Sequence, residues 1–356
     1  MNKYLSIKLK AISFFATFMV TYIHSSNVLV RFPSEYLVSE KGYSYFIQEF
    51  ISQGLTRVAV PLFFAISGYL FFLNIKGEPR EFFLKIKKRA KTLVIPYLFW
   101  SLLSLLIFFI LQSLPFSEKF FTSKLVRDLS ANELLSSVFL NPLSYPLWFI
   151  RDLIMLALVS PLIYLAVRYL KYLSILLLLP AWIFGFNFVI FFEEALFFFV
   201  CGSFLSIRKV EKLIQTRFTK NPWIYFCLWL LIILAKTILV FTDLNNPILL
   251  NILLKLSILA GVFSLWIMYD YLFKATELAD FKYFGIFSFS FFLYASHEPL
   301  LTIVKKVFFF TLETSEFTSL VIYLTAPLIT IAICISIAYS LKKTMPRFYE
   351  IITGGR

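Results

Sequence analysis

Long runs of apolar residues recur along this chain of 356 residues, and they restrict it to a fold built in a membrane. Each run has about 20 residues, the length of helix that crosses the hydrocarbon core of a bilayer. Hydrophobic residues make up 60% of the chain and charged residues only 15%, well beyond the balance of a soluble domain. The candidate segments are 11–30, 58–74, 92–112, 147–167, 172–186, 189–207, 223–241, 247–269, 285–310 and 317–341. We therefore predict an all-α, polytopic integral membrane helix bundle of about ten transmembrane helices, forming a single domain over residues 1–356.

Basic residues are concentrated at alternate ends of these segments, which predicts the orientation of the bundle. They precede the first segment, fill the second and sixth loops and follow the last segment: Lys3, Lys8, Lys10, Lys85, Lys87, Lys88, Arg89, Lys91, Arg208, Lys209, Lys212, Arg217, Lys220, Lys342, Lys343 and Arg347. Because cytoplasmic loops are enriched in Lys and Arg, both termini are predicted to be cytoplasmic. The net charge of +14 is thereby explained by the lipid bilayer as a partner, and a nucleic-acid partner is not expected.

The three cysteines, Cys201, Cys227 and Cys334, all lie within apolar segments and far apart in the sequence. This placement is typical of small apolar residues, and not of a disulfide framework or a metal site. No metal is therefore expected.

The first apolar segment contains an ionisable residue, His24. An imidazole inside hydrocarbon is costly, so such a residue is a functional-site hypothesis by default. The second of the two histidines, His297, lies in the ninth segment, where Ser290 and Tyr294 share its helical face and Pro299 loosens the helix just beyond it. A buried histidine can also be a purely structural, hydrogen-bonded residue of the bundle. We favour a catalytic role for His24 and leave both interpretations open for His297.

Two arginines near the ends of apolar segments are further candidates. Arg57 begins a segment in which Gly68 predicts close approach of a neighbouring helix. Arg151 shares a helical face with Trp148 and Asp152. Each arginine could point its charge into the bundle. Equally, the first could be a snorkelling interfacial residue and the second could form a structural ion pair.

Two loops carry additional signals. The basic run that contains Lys88 and Arg89 fits positive-inside topology, and it also fits an electrostatic seat for a phosphorylated cytosolic cofactor. These two explanations are compatible. In the loop from about 114 to 146, Asn132 and Glu133 followed by leucines predict a short surface helix.

Five motifs occur in an order that resembles a known family. They are Val20 to Ser25 with its histidine, Arg57 to Tyr69 (Arg, Pro-Leu-Phe-Phe, Ser-Gly-Tyr), Lys88 to Trp100 (a basic run, then Pro-Tyr and Trp), Leu147 to Leu153 (Leu-Trp-Phe, Arg-Asp-Leu) and Ser290 to Pro299 (Phe-Phe-Leu-Tyr, His-Glu-Pro). With these motifs the chain resembles acyltransferase family 3, whose multi-pass membrane enzymes move acyl groups, usually acetyl, from acyl-CoA onto extracytoplasmic sugars and related acceptors.

The resemblance implies a role for His24 as the essential histidine of the first helix. It also implies a multi-pass protein of the cell (plasma or inner) membrane, acetyl-CoA or another acyl-CoA as donor, a carbohydrate or cell-envelope glycan as acceptor, and glycan-assembly proteins as partners. The family places a basic residue eleven positions before the histidine, where this chain has Ser13. Lys10, about one turn earlier, is the nearest substitute and is a candidate cofactor-binding residue together with Lys88 and Arg89.

Two classes of function follow from these features. In the first, acyl transfer, His24 takes the proton of an acceptor hydroxyl as it attacks a thioester, or His24 is itself acylated and relays the group. Arg57 or Arg151 would then stabilise the developing oxyanion. In the second, the protein is a transporter or flippase without catalysis, because intramembrane charges also mark transport paths. The sequence contains no repeat symmetry of the kind found in many transporters.

Overall fold

The computed structural model describes residues 3–27, 29–31, 36–38, 41–115, 121, 124–186, 188, 191–210, 221–244, 246–273, 284–313 and 315–355. Three of the basic loop residues named above, Lys212, Arg217 and Lys220, lie outside this part of the chain. The described helices are α1 Lys3–Ser25, α2 Tyr43–Ser52, α3 Ala59–Phe72, α4 Pro79–Arg89, α5 Ile95–Gln112, α6 Ala131–Phe139, α7 Trp148–Leu158, α8 Ser160–Leu170, α9 Leu173–Ile183, α10 Glu193–Ile207, α11 Trp223–Phe241, α12 Pro247–Leu272, α13 Ser290–Thr311, α14 Glu316–Thr344 and α15 Pro346–Thr353. One short antiparallel hairpin, β1 Leu29–Arg31 with β2 Tyr36–Val38, completes the regular structure described.

Within the part of the chain that the structure describes, six helices are long and apolar enough to cross a membrane. They are Lys3–Ser25, Tyr43–Phe72, Pro79–Gln112, Trp223–Phe241, Pro247–Leu272 and Glu316–Thr344. A seventh span is possible if Tyr145–Leu158 and Ser160–Leu170, which are bent by 65° at their junction, cross together. The predicted multi-pass helical membrane architecture is confirmed in this coarser form. The predicted number of about ten spans stays a prediction, because α9 and α10 have only 11 and 15 residues and α13 is interrupted.

The chain divides into two compact units, each made of three separate stretches of sequence. The first unit comprises Met1–Met19, Gly54–Lys91 and Asp152–Ser290. The second unit comprises Val20–Gln53, Thr92–Arg151 and Phe291–Arg356. The single domain inferred from the sequence stays a prediction.

In the first unit, α3 and α10 pack backbone against backbone at two glycines. A Cβ atom added to Gly68 would overlap the carbonyl oxygen of Phe199, and one added to Gly202 would overlap the carbonyl oxygen of Ala65. Only glycine allows this approach, since it has no side chain to separate the helices. The close helix approach predicted at Gly68 is confirmed.

The first unit also contains a buried ion pair between the beginning of α1 and the end of α12. The Lys8 ammonium lies 2.7 Å from the Asp270 carboxylate, and both side chains are 0% exposed. The same ammonium lies 3.8 Å from the ring centroid of Trp266, a cation–π distance. The carboxylate and the aromatic ring therefore both offset part of the cost of burying the ammonium.

The second unit is held by apolar packing and by hydrogen bonds to backbone carbonyls. Leu301 and Phe309 of α13 pack with Ile322 and Ala326 of α14 in a buried cluster. The Trp100 indole of α5 donates to the Ile352 carbonyl at 2.9 Å, which fastens the C-terminal helix α15. These contacts fix the frame around α13.

The surface helix predicted near Glu133 is confirmed as α6. Its start is a capping box, in which the Ser130 hydroxyl accepts from the Glu133 amide at 3.3 Å and the Glu133 carboxylate accepts from the Ser130 amide at 2.7 Å. Tyr97 of α5 donates to the Phe139 carbonyl at 3.0 Å and holds the other end of α6.

Candidate active site

The two histidines of the chain lie close together in the second unit. His24 lies one residue before the end of α1, and His297 lies in the first half of α13. Their ring centroids are 5.5 Å apart and their planes are inclined by 35°. His24 is half-buried, whereas His297 is 0% exposed. Two imidazoles at this separation can act on the same bound atom.

The tautomer of His297 follows from its surroundings. Its Nδ1 lies 2.7 Å from the Tyr294 carbonyl oxygen, and a carbonyl can only accept. Nδ1 therefore carries the proton, and Nε2 presents a lone pair. This Nε2 is buried and has no hydrogen-bond partner within the described residues. Leaving a buried polar atom unpaired costs about 1–3 kcal/mol, so the atom calls for an explanation, such as a bound substrate.

The kink predicted at Pro299 is confirmed. Glu298 has non-helical backbone angles, φ −107° and ψ 134°, inside α13, and its peptide bond to Pro299 is cis. The Glu298 carbonyl accepts a hydrogen bond from the Ser144 hydroxyl at 3.1 Å. The Tyr294 hydroxyl donates to the Pro146 carbonyl. The turn before α7 is thereby fastened to the helix that carries His297.

This turn places an aromatic ring beside His24. The Tyr145 ring centroid lies 6.0 Å from that of His24 in an edge-on arrangement, and the Tyr145 residue is 64% exposed. The Tyr294 ring lies 6.0 Å from His297. The histidine pair is therefore bordered by tyrosines, one buried and one exposed.

A hydrogen-bond network fixes the end of α1 next to the histidine. The Ser25 hydroxyl donates to the Tyr323 carbonyl at 2.9 Å, and the Asn27 amide side chain donates to the Ser319 carbonyl at 3.0 Å. Gln48 of α2 donates to the Asn27 side-chain oxygen at 2.7 Å and accepts from the Asn27 backbone amide at 2.9 Å. These buried groups satisfy one another, which leaves little freedom for the backbone that carries His24.

Lys305 is a residue that the sequence interpretation passed over. Its ammonium donates to the His24 carbonyl at 2.6 Å and lies 3.5 Å from the Ser26 carbonyl. It also interacts electrostatically with the Glu298 carboxyl. The signal was present in the sequence, because a lysine inside an apolar segment is costly and points to a specific partner.

The two predicted arginines lie in different units. Arg151 is in the second unit, on α7, and donates to the Leu140 carbonyl at 2.7 Å. Arg57 is in the first unit, in the 3₁₀ turn Leu55–Val58, where it interacts electrostatically with Glu194. Their catalytic role stays a prediction.

The three predicted cofactor-binding residues belong to the first unit. Lys10 and Lys88 are exposed, and Arg89 at the end of α4 is partly buried. Of the basic residues around them, Lys85 has a structural role, because its ammonium donates to the carbonyls of Phe71 and Leu73 at 2.8 and 2.9 Å. Such contacts satisfy carbonyls that the end of α3 leaves unpaired. Among the described residues, no group of three or more His, Cys, Asp or Glu side chains could hold a metal ion.

These features define a multi-pass helical membrane protein with a histidine pair suited to proton transfer. Residues 8–339 match the profile of a family described as an acyltransferase domain, acyltransferase family 3, and the chain belongs to this family. The predicted family is confirmed, which favours acyl transfer over the transport hypothesis.

The chain is similar to the succinoglycan biosynthesis protein ExoH of Rhizobium meliloti. It is 27% identical over 319 residues, and the match covers 88% of this chain and 84% of that protein. No solved structure matches the chain.

Proposed function

We propose that this protein is a membrane O-acetyltransferase that moves an acetyl group from acetyl-CoA to a hydroxyl of an extracytoplasmic glycan. Membership of the acyltransferase family supports the reaction type. The name of the relative ExoH, a succinoglycan biosynthesis protein, supports a polysaccharide or its precursor as acceptor. On this proposal the protein lies in the cell membrane and works beside glycan-assembly proteins.

The observation that carries the proposal is the buried Nε2 of His297, which lies beside the His24 ring and has no hydrogen-bond partner among the residues described. A lone pair at this place can accept a hydrogen bond from the acceptor hydroxyl or from a protonated His24. Two neutral imidazoles side by side can thus take up a proton and hold it close to the reacting atoms.

The proposed reaction is general-base catalysis by His24. The acceptor oxygen forms a bond to the thioester carbonyl carbon while its proton moves to a ring nitrogen of His24. The tetrahedral intermediate then collapses, the carbon–sulfur bond breaks, and the thiolate of CoA takes the proton from the imidazolium. The products are the acetyl ester and free CoA, and His24 returns to its neutral form. Acylation of His24 itself is the alternative route to the same products.

Positive charge completes the proposed site. We assign Arg57 or Arg151 the stabilisation of the oxyanion, which is worth most where water is excluded. We assign Lys10, Lys88 and Arg89 to the phosphates of the donor, because clustered cations concentrate such ligands. No metal enters the proposed reaction.

The test uses purified protein in proteoliposomes with acetyl-CoA labelled in the acetyl group, together with a glycan extract of the cell envelope. Release of free CoA and transfer of label to alkali-labile esters on the glycan are expected. Replacing His24 by Gln should reduce both by about 100- to 10,000-fold, the usual contribution of a general base.

Tyr22→Phe is the matched control on the same helix. Its hydroxyl donates to the Leu324 carbonyl of α14 at 3.1 Å. The control should keep wild-type rates, with all three proteins compared at equal thermal stability. Full turnover by His24→Gln would remove His24 from the mechanism. Movement of glycan across the bilayer with no release of CoA would instead establish the transport hypothesis.

Ten spans with both termini cytoplasmic are the proposed topology. In a variant with Cys201, Cys227 and Cys334 replaced by serine, single cysteines introduced at Lys3 and Arg347 should react with an impermeant maleimide only after the cells are opened. Labelling of either position in intact cells would contradict this orientation.

A further inference from the structure

The kink in α13 creates a new helix start immediately after His297. Pro299 occupies the first position of the second half of the helix, where its missing amide costs nothing. Glu298, with its non-helical angles of φ −107° and ψ 134°, occupies the N-cap position of this second half.

Lys305 lies on the same face of this second half. Glu298, Thr302 and Lys305 are spaced at i, i+4 and i+7, so their side chains project in one direction. The ammonium of Lys305 and the carboxyl of Glu298 attract each other electrostatically. The residue that follows His297 therefore lies on the face of the helix that carries Lys305.

The other contact of Lys305 is with the end of α1. A helix leaves its last carbonyls without intrahelical partners, and its C-terminus carries partial negative charge. The His24 carbonyl is one of these groups, and Lys305 donates to it at 2.6 Å. The Ser26 carbonyl lies 3.5 Å from the same ammonium. Lys305 therefore acts as a C-terminal cap for α1 that is supplied by another helix.

We propose that Lys305 is a positioning residue, whose ammonium ties the His24 carbonyl to α13 and so holds the two catalytic imidazoles at their working distance. One cation joins the backbone of one histidine to the helix that carries the other. The catalytic part of this inference rests on the proposed acetyl transfer. Its geometric part, the hydrogen bond between Lys305 and His24, can be tested without any activity.

The matched control is the next residue. Lys306 has the same charge and lies in the same helix, but its ammonium is 6.0 Å from the ring centroid of Phe121. Lys305→Met and Lys306→Met remove one positive charge each. Only the first should affect the histidines.

The geometric test uses protein labelled with carbonyl-¹³C histidine and side-chain-¹⁵N lysine. Because the chain has two histidines, the spectrum contains two carbonyl signals, and His297→Asn identifies the one from His24. In the unsubstituted protein, the His24 carbonyl should show dipolar coupling to a lysine nitrogen. In Lys305→Met this coupling should vanish and the His24 carbonyl signal should shift. In Lys306→Met the coupling should remain, and the signal should keep its position in the unsubstituted protein. Absence of the coupling in the unsubstituted protein would overturn the proposal even if Lys305→Met does not fold.

The catalytic test measures turnover with acetyl-CoA. Lys305→Met should lower kcat by about 100-fold with little change in the KM for acetyl-CoA, since a displacement of about 1 Å of a catalytic group has an effect of this size. Lys305→Arg, which keeps the cation, should recover most of the loss. Wild-type kcat in Lys305→Met, or an equal loss in Lys306→Met, would overturn the positioning role. Dipolar coupling in a protein that never releases CoA would overturn the proposed acetyl transfer and leave the geometry in place.

Discussion

Helix α1 carries an ionisable side chain in each unit, the buried Lys8 in the first and the half-buried His24 in the second, and the two sites differ in how completely their polar groups are paired. At Lys8 the ammonium has a carboxylate at 2.7 Å and an aromatic face at 3.8 Å. At His24 the neighbouring His297 keeps one buried nitrogen without a partner in the described part of the chain. Both sites are costly in an apolar surrounding.

The difference separates two reasons for which a membrane protein retains polar residues. A site whose groups are all compensated by the protein has no capacity left for a ligand, so it contributes to the folded structure. A site with an uncompensated, well-positioned atom pays a stability penalty that a substrate can relieve. Substitutions at the first kind of site should therefore change stability, and those at the second kind should change turnover.

The largest expected effect is at the unpaired nitrogen. His297→Asn keeps a side-chain N–H where Nδ1 donates to the Tyr294 carbonyl, but it removes Nε2. Turnover with acetyl-CoA should fall by about 100- to 10,000-fold, whereas the melting temperature should stay close to that of the wild type. A parallel loss of stability and activity would show that His297 is structural and would remove the contrast between the two sites.

The second largest effect is expected at the buried ion pair of Lys8 and Asp270. Lys8→Met leaves the Asp270 carboxylate buried without its counter-charge, and breaking such a pair costs about 3–5 kcal/mol. The melting temperature should fall, while turnover per folded molecule should be retained. The double variant Lys8→Met/Asp270→Leu should recover stability, because apolar residues can replace a buried pair. If the double variant were no more stable than Lys8→Met, loss of the ion pair would not be the cause of the lower melting temperature.

A smaller loss is expected at the α3–α10 contact. Gly68→Ala places a methyl group against the Phe199 carbonyl, and overpacking of this kind costs about 1–3 kcal/mol. Gly285→Ala is the control, because a Cβ atom there would meet nothing within 4 Å. Thermal unfolding of the two variants should differ by this amount, with turnover per folded molecule equal. Equal melting temperatures of the two variants would mean that α3 and α10 can move apart without loss of stability.

The smallest effect is expected at an exposed ion pair, which tests whether burial is what makes Lys8 important. Lys124 contacts Glu133 at 2.7 Å, with the side chains 50% and 45% exposed. Hydrogen bonds from Lys124 and Ser130 lower the pKa of the Glu133 carboxyl from 4.5 to about 2. Because the folded protein favours the ionised form of Glu133, the stabilisation by this carboxylate is present above pH 4.5 and is lost as the pH falls towards 2.

Glu133→Gln should therefore melt slightly below the wild type at pH 7, and the difference should shrink between pH 4.5 and pH 2. Thermal unfolding across this range measures it. A difference at pH 7 as large as that of Lys8→Met would show that burial does not distinguish the two pairs.

Local features of the sequence predicted local features of the structure. Glu133 at the start of α6 and the proline after His297 act through their immediate neighbours, and Gly68 acts by lacking a side chain, so a single segment was enough to interpret each of them. The family was also recognisable from the sequence, because its motifs are short segments that can be read one at a time.

The arrangement of the site could not be predicted in the same way. His24 and His297 are near opposite ends of the chain, and their ring distance of 5.5 Å depends on how α1 packs with α13. Lys8 was counted with the topogenic lysines, although it is completely buried. Lys305 was overlooked, although a lysine in an apolar segment indicates a specific partner, because the sequence does not identify that partner, a backbone carbonyl that every sequence provides equally. Tertiary contacts of this kind leave no periodic signal in the sequence.

The reciprocal contact of Gly68 and Gly202 has a consequence for how such a protein can diverge. Each glycine faces the main chain of the opposite helix, and not a side chain that could shrink in compensation. A substitution at either position therefore has no single second-site suppressor at the contact itself. Random libraries and natural drift should leave this pair unchanged while they vary the tyrosine-lined border of the histidine pair, where Tyr145 is exposed. The crossing of α3 and α10 is therefore expected to stay constant while exposed positions of the protein change.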